Sequence, residues 1–452
     1  MAEMKHFVIL GAGPGGMAAA VRAVSQGHRV TVFDPEGWGG NAVNHSLVPS
    51  KALLQAAQVV DRARGLGAAW DISRWAAVMQ DQTEKIARLR TAAANAARGA
   101  VLRREAGRLV SADGRRVRVQ GQETGAILEG DVLIVAVGSR QRLLPGLRPD
   151  GRTVLVPRAL ASLKAVPETL DIVGGGATGL ETASLFSRLG TATRLHAASP
   201  TLLPGYSGDI NRLLLEAFRV LGVDCRLGRL VTHGTSDGKG VDLAWTEPNQ
   251  GSSGRDRATR VFLATGRAPM DDAHSWEALG FALTPEGFLQ TSSAGETSVP
   301  GVFAVGDARG DDSSLQANRA MMDAEYAVAT ALGVPFSASP VVQAIFTWPE
   351  VARVGETTGQ HVLEARLDPV LPPLLYQPVL GSLEAGRLRV YANADEDVVG
   401  GEAIGLEASA VMNVVALAVG AGVKVDHLRR VGYVTPSMSE WLKYLVPVAP
   451  QG

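Results

Sequence analysis

The chain has 452 residues, and at ~100–200 residues per domain this length implies two to four domains. Lys and Arg total 44 against 45 Asp and Glu, a formal charge of −1, so nothing global favours nucleic acid or an anionic membrane. With 46% hydrophobic and 20% charged residues the chain can fill ordinary cores, and its one cysteine, Cys225, excludes a disulfide within the chain and any cysteine-rich metal site. Taken in chain order, Phe7-Val8-Ile9-Leu10 is a continuous apolar run, the pattern of a strand covered on both faces. It enters Gly11-Ala12-Gly13-Pro14-Gly15-Gly16, a helix starts at Met17, and a second strand, Arg29–Phe33, ends at Asp34. Strand, glycine turn, helix, strand and acid together are the dinucleotide-binding fingerprint in its required context. Gly11 permits the tight turn, Gly13 lets the backbone approach a pyrophosphate, and Gly16 allows close helix–strand packing. The helix start offers N–H groups to the phosphates, and Asp34 is placed to accept from a ribose hydroxyl.

Residues 72–98 carry apolar positions at Trp75, Val78, Met79, Ile86, Leu89 and Ala93, a helical stripe expected to face another domain or a second subunit. A strand, Val132–Val137, ends in Gly138. The fingerprint then recurs: Asp171-Ile172-Val173 leads into Gly174-Gly175-Gly176-Ala177-Thr178-Gly179 and a helix over 180–189, and a later strand, Val261–Thr265, ends in Gly266-Arg267. Glycines at such strand ends let the chain cross close to a nucleotide. Two fingerprints imply two nucleotides, and a chain that holds two can pass electrons between them. The strand after the second fingerprint, Thr193–Ser199, puts Ala197 where an NAD-selective fold carries an acid. Losing that carboxylate removes repulsion against a 2′-phosphate, with Arg194 and His196 as its candidate partners, so NADPH is expected ahead of NADH, or both together. Cys225 reads as a buried strand residue. Residues 234–257 read as a polar stretch with one strand, Val241–Trp245, and a long hairpin loop; 269–272 and 310–313 read as solvated loops. Residues 409–423 are apolar but too short for a membrane span, so an interface helix is expected there, and 446–450 read as a loose end. The eight histidines are scattered without a ligand-like pair, no apolar run reaches ~18 residues, and the first six residues carry no signal-peptide core. The expectation is a soluble cytoplasmic protein with no metal site, no membrane span and no nucleic-acid partner.

Four further stretches carry a resemblance: Gly39-Gly40-Asn41 through Lys51, Thr297 through Asp307, Phe346-Thr347-Trp348-Pro349-Glu350 through Gly355, and Tyr433 through Glu440. With both fingerprints they make the chain similar, over nearly its whole length, to the pyridine nucleotide–disulfide oxidoreductases, the family of dihydrolipoamide dehydrogenase and glutathione reductase. The resemblance implies an α/β fold of two Rossmann-like nucleotide-binding domains, glutathione reductase-like, plus a C-terminal α+β dimerisation domain. It implies a FAD-binding domain of residues 1–150 and 266–338, an NAD(P)H-binding domain of 151–265, and a dimerisation domain of 339–452 in a homodimer. FAD then lies on Gly11, Gly13, Pro14, Gly15, Gly16 and Asp34, with Asp307 on its ribityl chain and Gly107, Gly138 and Ala317 as backbone contacts. NADPH or NADH lies on Gly174, Gly176 and Gly179. Gly40, Asn41, Lys51, Glu181, Gly266, Arg267 and Gly306 complete the cofactor-binding set. Lys51 and Glu181 are the catalytic residues, a pair expected beside flavin N5 and the nicotinamide.

The chain departs from the family where sulfur should act. Both cysteine positions of the redox disulfide are apolar, Ala42 and Leu47, although Pro49, Ser50 and Lys51 are kept. A thiolate at position 47 would relay electrons from the flavin; a leucine cannot. The histidine that serves thiol exchange is Thr435 here, and positioned acid–base catalysis is worth ~10²–10⁴-fold. The expected function is a FAD-dependent NAD(P)H dehydrogenase whose electrons pass directly from flavin to a quinone-like acceptor, as in cysteine-deficient relatives of lipoamide dehydrogenase, with Leu47, Val43 and Trp38 as an apolar slot. The alternatives are a soluble pyridine nucleotide transhydrogenase, which the 435–440 segment also resembles, and a flavin-bound scaffold or partner subunit with little turnover.

Overall fold

A computed structural model describes residues 3–65, 67, 74–270, 273–310, 316–337, 339–367, 386–435 and 437–448. Its first unit is built on β1 (His6–Leu10), paired in parallel with β2 (Arg29–Phe33) on one side and Val132–Val135 on the other. Val101–Arg103 and Val302–Ala304 complete a five-stranded parallel sheet. The last of these strands returns to the sheet after the whole second unit, so that unit is an insertion. In β1, Phe7 and Ile9 pack under α1 (Pro14–Ser25), while Val8 and Leu10 face the antiparallel strands 107–130 through Leu109, Val117 and Val119. Period-2 alternation with both faces covered is why the run is apolar throughout.

The second unit repeats this plan. Thr169–Val173 lies between Ala192–Ala197 and Val261–Leu263 in a five-stranded parallel sheet, with α5 (Ala177–Arg188) and α6 (Gly208–Val220) on one face. Its other face is covered by three antiparallel strands, Leu230–Ser236, Val241–Glu247 and Ser252–Ala258. The stretch expected to hold one strand and a long loop is thus a full sheet. Its third strand reads Ser-Ser-Gly-Arg-Asp-Arg-Ala, and its polar face hid it from a hydrophobic-period search.

The C-terminal unit is a six-stranded antiparallel sheet, with helix Ala408–Gly420 packed on it through Val411, Met412 and Val415. The chain end differs from expectation: Val446–Pro447 pairs with Leu363 and Glu364 as the edge strand, and the Val448 N–H donates to the Val362 carbonyl at 2.8 Å. Residues 449 and 450 lie outside the described residues, as do 72–73 of the expected helix, the 271–272 and 311–313 loop positions, and Pro436 of the Tyr433–Glu440 stretch. Among the described residues no helix is long and apolar enough to cross a membrane.

An ionic network joins this sheet to the second unit. Fully buried Glu402 accepts the Ser207 N–H at 3.2 Å and the Tyr391 hydroxyl at 2.9 Å. Asp209, in the first turn of α6, takes Arg387 at 2.7 Å and also binds Arg389, whose Nε reaches Glu364 at 2.8 Å. The Arg353 guanidinium lies 4.6 Å over the Tyr206 ring.

Candidate active site

The two glycine turns are built alike. A Cβ on Gly11 (φ +98°) would fall on the Ala136 carbonyl oxygen, and one on Gly16 on the Gly11 oxygen. In the second turn a Cβ on Gly174 (φ +117°) would fall on the Ala264 oxygen, and one on Gly179 on the Gly174 oxygen. Each turn is tied to its sheet by the same backbone bonds: the Gly11 N–H to Phe33 O at 2.8 Å, and the Gly174 N–H to His196 O at 2.9 Å. Gly15 is forced differently, since its Cβ would lie 3.2 Å from Ala320 O on the crossing helix Ala317–Ala331.

The residues fit two nucleotides on a physical ground. α1 and α5 begin at Gly13 and Gly176 with no side-chain cap and no acid in the first turn, and α1 has Pro14 at its start. Helix Ala317–Ala331 also begins without a side-chain cap or an acid in its first turn. Helix N-termini left with unpaired N–H donors and a positive dipole end are suited to phosphate or to an anionic ring edge. Around Gly138 (φ +73°), Gly176 and Gly266 (φ +91°), among the described residues and apart from the chain neighbours, no atom lies within 4 Å of a would-be Cβ, so a ligand can come against bare backbone there. Gly40, which starts the short helix α2 (Gly40–Asn44), is back to back with Gly13, its would-be Cβ 2.6 Å from the Gly13 Cα. The Asn41 side chain donates to Ser46 Oγ at 3.0 Å. Gly107 packs against Leu10 and Phe33.

Asp34 does more than the fingerprint predicts. Its Oδ2 accepts the Ala12 N–H at 2.8 Å, and its Oδ1 accepts those of Glu36 (2.8 Å) and Gly37 (2.9 Å). It is therefore the fastener of the glycine turn, with one acceptor site, on Oδ2, left for a ribose.

α3 (Leu47–Gly65) starts at Leu47, four residues before Lys51. The Lys51 ammonium donates to Glu181 Oε2 at 2.7 Å, and the other carboxylate oxygen accepts the Phe346 N–H at 3.0 Å. The Lys51 Nζ also lies 4.6 Å from the Phe346 ring centroid. Beneath the turn into α3, fully buried Gln82 of α4 (Trp75–Ala96) donates to the Pro49 carbonyl at 3.0 Å. Sequence reasoning missed Gln82 and Phe346. A glutamine on an apolar stripe reads as a lapse in the stripe, whereas Leu89, counted in that stripe, is exposed. Phe346 stood inside a recognised motif, but no spacing rule couples it to a lysine nearly three hundred residues earlier.

Asp307 sits in a one-turn helix, Gly306–Arg309, and accepts a hydrogen bond from the Ser139 hydroxyl. Burial pushes its carboxyl above the usual range, against the pull of Ser139 and Arg267, and burial likewise pushes the Arg267 guanidinium down. Arg267 donates to Ser139 Oγ at 2.8 Å. Around the former cysteine positions, Leu47 is exposed, and His45 Nε2 lies 2.7 Å from Glu36 Oε2. Burial raises Glu36, but hydrogen bonds from Arg158 and His45 outweigh it and hold the carboxyl below its usual range. Cys225 is remote, and burial, helped by Asp224, pushes its thiol up to about 11.

The expected partners for a 2′-phosphate are otherwise engaged. Arg194 bridges Asp171 and Asp224, both at 3.2 Å, and buried His196 places Nε2 2.9 Å from Asp171 Oδ2. Asp171, on the neighbouring strand, is the shared partner that holds both.

The sequence profile described as pyridine nucleotide-disulphide oxidoreductase matches residues 5–331, and that family's dimerisation-domain profile matches 341–446. The chain belongs to this family. Pyridine nucleotide–disulfide oxidoreductases use FAD and NAD(P)H, and the chain is an enzyme of that flavin-dependent class. Dihydrolipoyl dehydrogenase 2 of Haloarcula marismortui is 29% identical over 96% of this chain and 94% of its own length. Dihydrolipoyl dehydrogenase of Bacillus subtilis is 30% identical over 78% and 77%. Among solved structures, LpdA from Mycobacterium tuberculosis superposes with a TM-score of 0.85 at 26% identity over 98% of both chains. The HOCl-induced flavoprotein disulfide reductase RclA from Escherichia coli shares the fold, with a TM-score of 0.80 at 22% identity over 98% of this chain and 99% of that one. This chain itself carries a single cysteine, Cys225.

Proposed function

We propose that this chain is a FAD-dependent NAD(P)H oxidoreductase that delivers electrons to a quinone-like acceptor without a sulfur relay, acting as a homodimer. Residues 1–150 and 266–338 hold the FAD, 151–265 the coenzyme, and 339–452 the dimer contact. The observation that carries the reading is a contrast: the Lys51–Glu181 pair stands at 2.7 Å, while both cysteine positions are Ala42 and Leu47. The hydride-accepting half of the site is kept and the thiol half is gone.

A bound flavin supplies two-electron acceptance from a nicotinamide and the return of those electrons to an acceptor. The protein's own contributions follow from its residues. The N-terminus of α1 with Gly13 and Gly40 cradles one pyrophosphate, and that of α5 with Gly176 cradles the coenzyme's. Asp34 keeps the first turn in place and accepts from a ribose. Asp307 meets the ribityl chain, and Ala317 gives its N–H at a helix start. Glu181 orients the Lys51 ammonium, which holds a fixed positive charge where negative charge develops, without reorganisation at the moment of reaction. Leu47, an exposed leucine in place of a thiolate, presents apolar surface suited to a flat carbon ring, and Val43 and Trp38 are the other members of the expected slot.

An anaerobic acceptor panel with the purified yellow protein tests this, using NADPH and NADH in turn against a naphthoquinone, thio-NAD, lipoamide and glutathione disulfide. The expected result is quinone turnover well above that of free flavin and unaffected by thiol-blocking reagents. Faster hydride exchange with thio-NAD would make the protein a transhydrogenase. Comparable turnover of either disulfide would overturn the sulfur-free reading, and rates no better than free flavin would leave a scaffold.

A further inference from the structure

The dimerisation domain reaches the Lys51 site through Phe346, which makes two contacts there. Its backbone N–H donates to Glu181 Oε1 at 3.0 Å, and its ring face receives the Lys51 Nζ at 4.6 Å. Glu181 Oε2 closes the circuit to Lys51 at 2.7 Å. The segment that carries Phe346 is gripped by one face of α5: Glu181, then Ser184, whose Oγ accepts the Trp348 N–H at 3.0 Å, then Arg188, stacked 4.5 Å over the Trp348 ring. Positions 181, 184 and 188 are spaced i, i+3, i+7 and so share a face. Arg188 in turn binds Asp61 of α3, the helix that carries Lys51. Two helices and a strand-end segment are therefore locked around one ammonium.

We propose that Phe346 is a positioning residue for Lys51, its ring restraining the ammonium that its backbone N–H helps aim through Glu181. The proposal rests on the reading that NAD(P)H reduces a flavin beside Lys51. A lysine carries its charge on a flexible four-carbon stem with three N–H donors. One hydrogen bond to a carboxylate leaves such a group free to swing about that bond. The face of an aromatic ring attracts a cation without acting as a directed acceptor. The ring thus narrows the swing and leaves two N–H groups for whatever binds in front of them; among the described residues Glu181 is the only hydrogen-bond partner of that ammonium. Phe346 is itself 39% exposed, so filling a core does not account for its ring.

The test compares Phe346→Leu, which keeps the backbone N–H and an apolar side chain but loses the π face, with Phe346→Tyr, which keeps all three. The first readout needs no cofactor: the rate at which Lys51 in the flavin-free protein reacts with an acylating reagent, followed by peptide mass spectrometry. The ring restrains the Lys51 nitrogen and covers one side of it, so Phe346→Leu, which frees it to swing out to the reagent, is expected to label about two- to fivefold faster, with the tyrosine variant like the wild type. The second readout is stopped-flow bleaching of the loaded protein by NADPH, expected to slow about two- to fivefold in the leucine variant and to be restored by tyrosine. Leucine behaving like the wild type in the labelling assay, or tyrosine losing as much as leucine, overturns the proposal. A wild-type flavin that neither coenzyme bleaches would sink the underlying reading instead, and the labelling comparison would still decide the role of Phe346.

Discussion

Replacing Asp34 with alanine removes the acceptor of three backbone N–H groups at once. Those of Ala12 and Gly37 are buried, at 2.8 and 2.9 Å from the carboxylate, and that of Glu36 is partly exposed. A buried donor left unpaired costs ~1–3 kcal/mol, with bonds to a charged acceptor at the upper end. Two such donors give ~2–6 kcal/mol, and water entering the space of the lost carboxylate recovers part of it, leaving about 3 kcal/mol. Against a total of ~5–15 kcal/mol that is a large fraction. The assay is urea unfolding of the flavin-free protein, so that ribose contacts play no part, with FAD retention measured separately. Asp34→Asn should lose less, since one oxygen survives while its amide group faces an N–H. If Asp34→Ala unfolds within ~0.5 kcal/mol of the wild type and yet loses FAD, the carboxylate serves the ribose alone and its role as a fastener is refuted.

Gly179→Ala drives a Cβ into the Gly174 carbonyl, so NADPH should cease to bleach the flavin while dithionite still does; unimpaired reduction by NADPH would mean the turn yields more easily than its geometry implies. Ala197→Asp restores an acceptor for the ribose hydroxyl and should move the NADH-to-NADPH ratio of kcat/KM toward NADH by about tenfold or more, the worth of one charge-assisted hydrogen bond. A folded variant with an unchanged ratio would remove position 197 from coenzyme choice. With the Cys225 thiol pushed up to about 11, only about one molecule in a thousand carries the thiolate at pH 8, so alkylation should be slow there and quicken tenfold per pH unit toward 11. Rapid alkylation near neutrality would contradict the burial seen around it.

What was legible in the sequence is what backbone geometry makes obligatory. Gly11, Gly16, Gly174 and Gly179 admit no Cβ, and the runs around Phe7 and Ile172 must be covered on both faces, so spacing alone locates both nucleotide units. What was not legible depends on partners far along the chain. Asp34 was assigned to a ribose, although three N–H groups claim it first. Arg194 and His196 looked free for a phosphate until Asp171, on the next strand, was seen to hold both. Strand Ser252–Ala258 has too few apolar residues to announce itself, and its place comes from pairing with Val241–Glu247. Phe346 and Lys51 meet only because α5 brings the C-terminal segment across to α3.

The ties around Glu402 and Asp209 have a bearing on how this protein comes apart. The loop that follows Ala197 leads directly into Ser207 and Asp209, and both are bonded to the C-terminal sheet through groups water scarcely reaches. Parting the two units would break several charge-assisted hydrogen bonds at one junction together, so the two are coupled by directed bonds as well as by packing. On warming, the coenzyme-holding unit and the subunit-pairing sheet should therefore melt in a single calorimetric step, and a protease should find no intermediate from which either can be trimmed away intact.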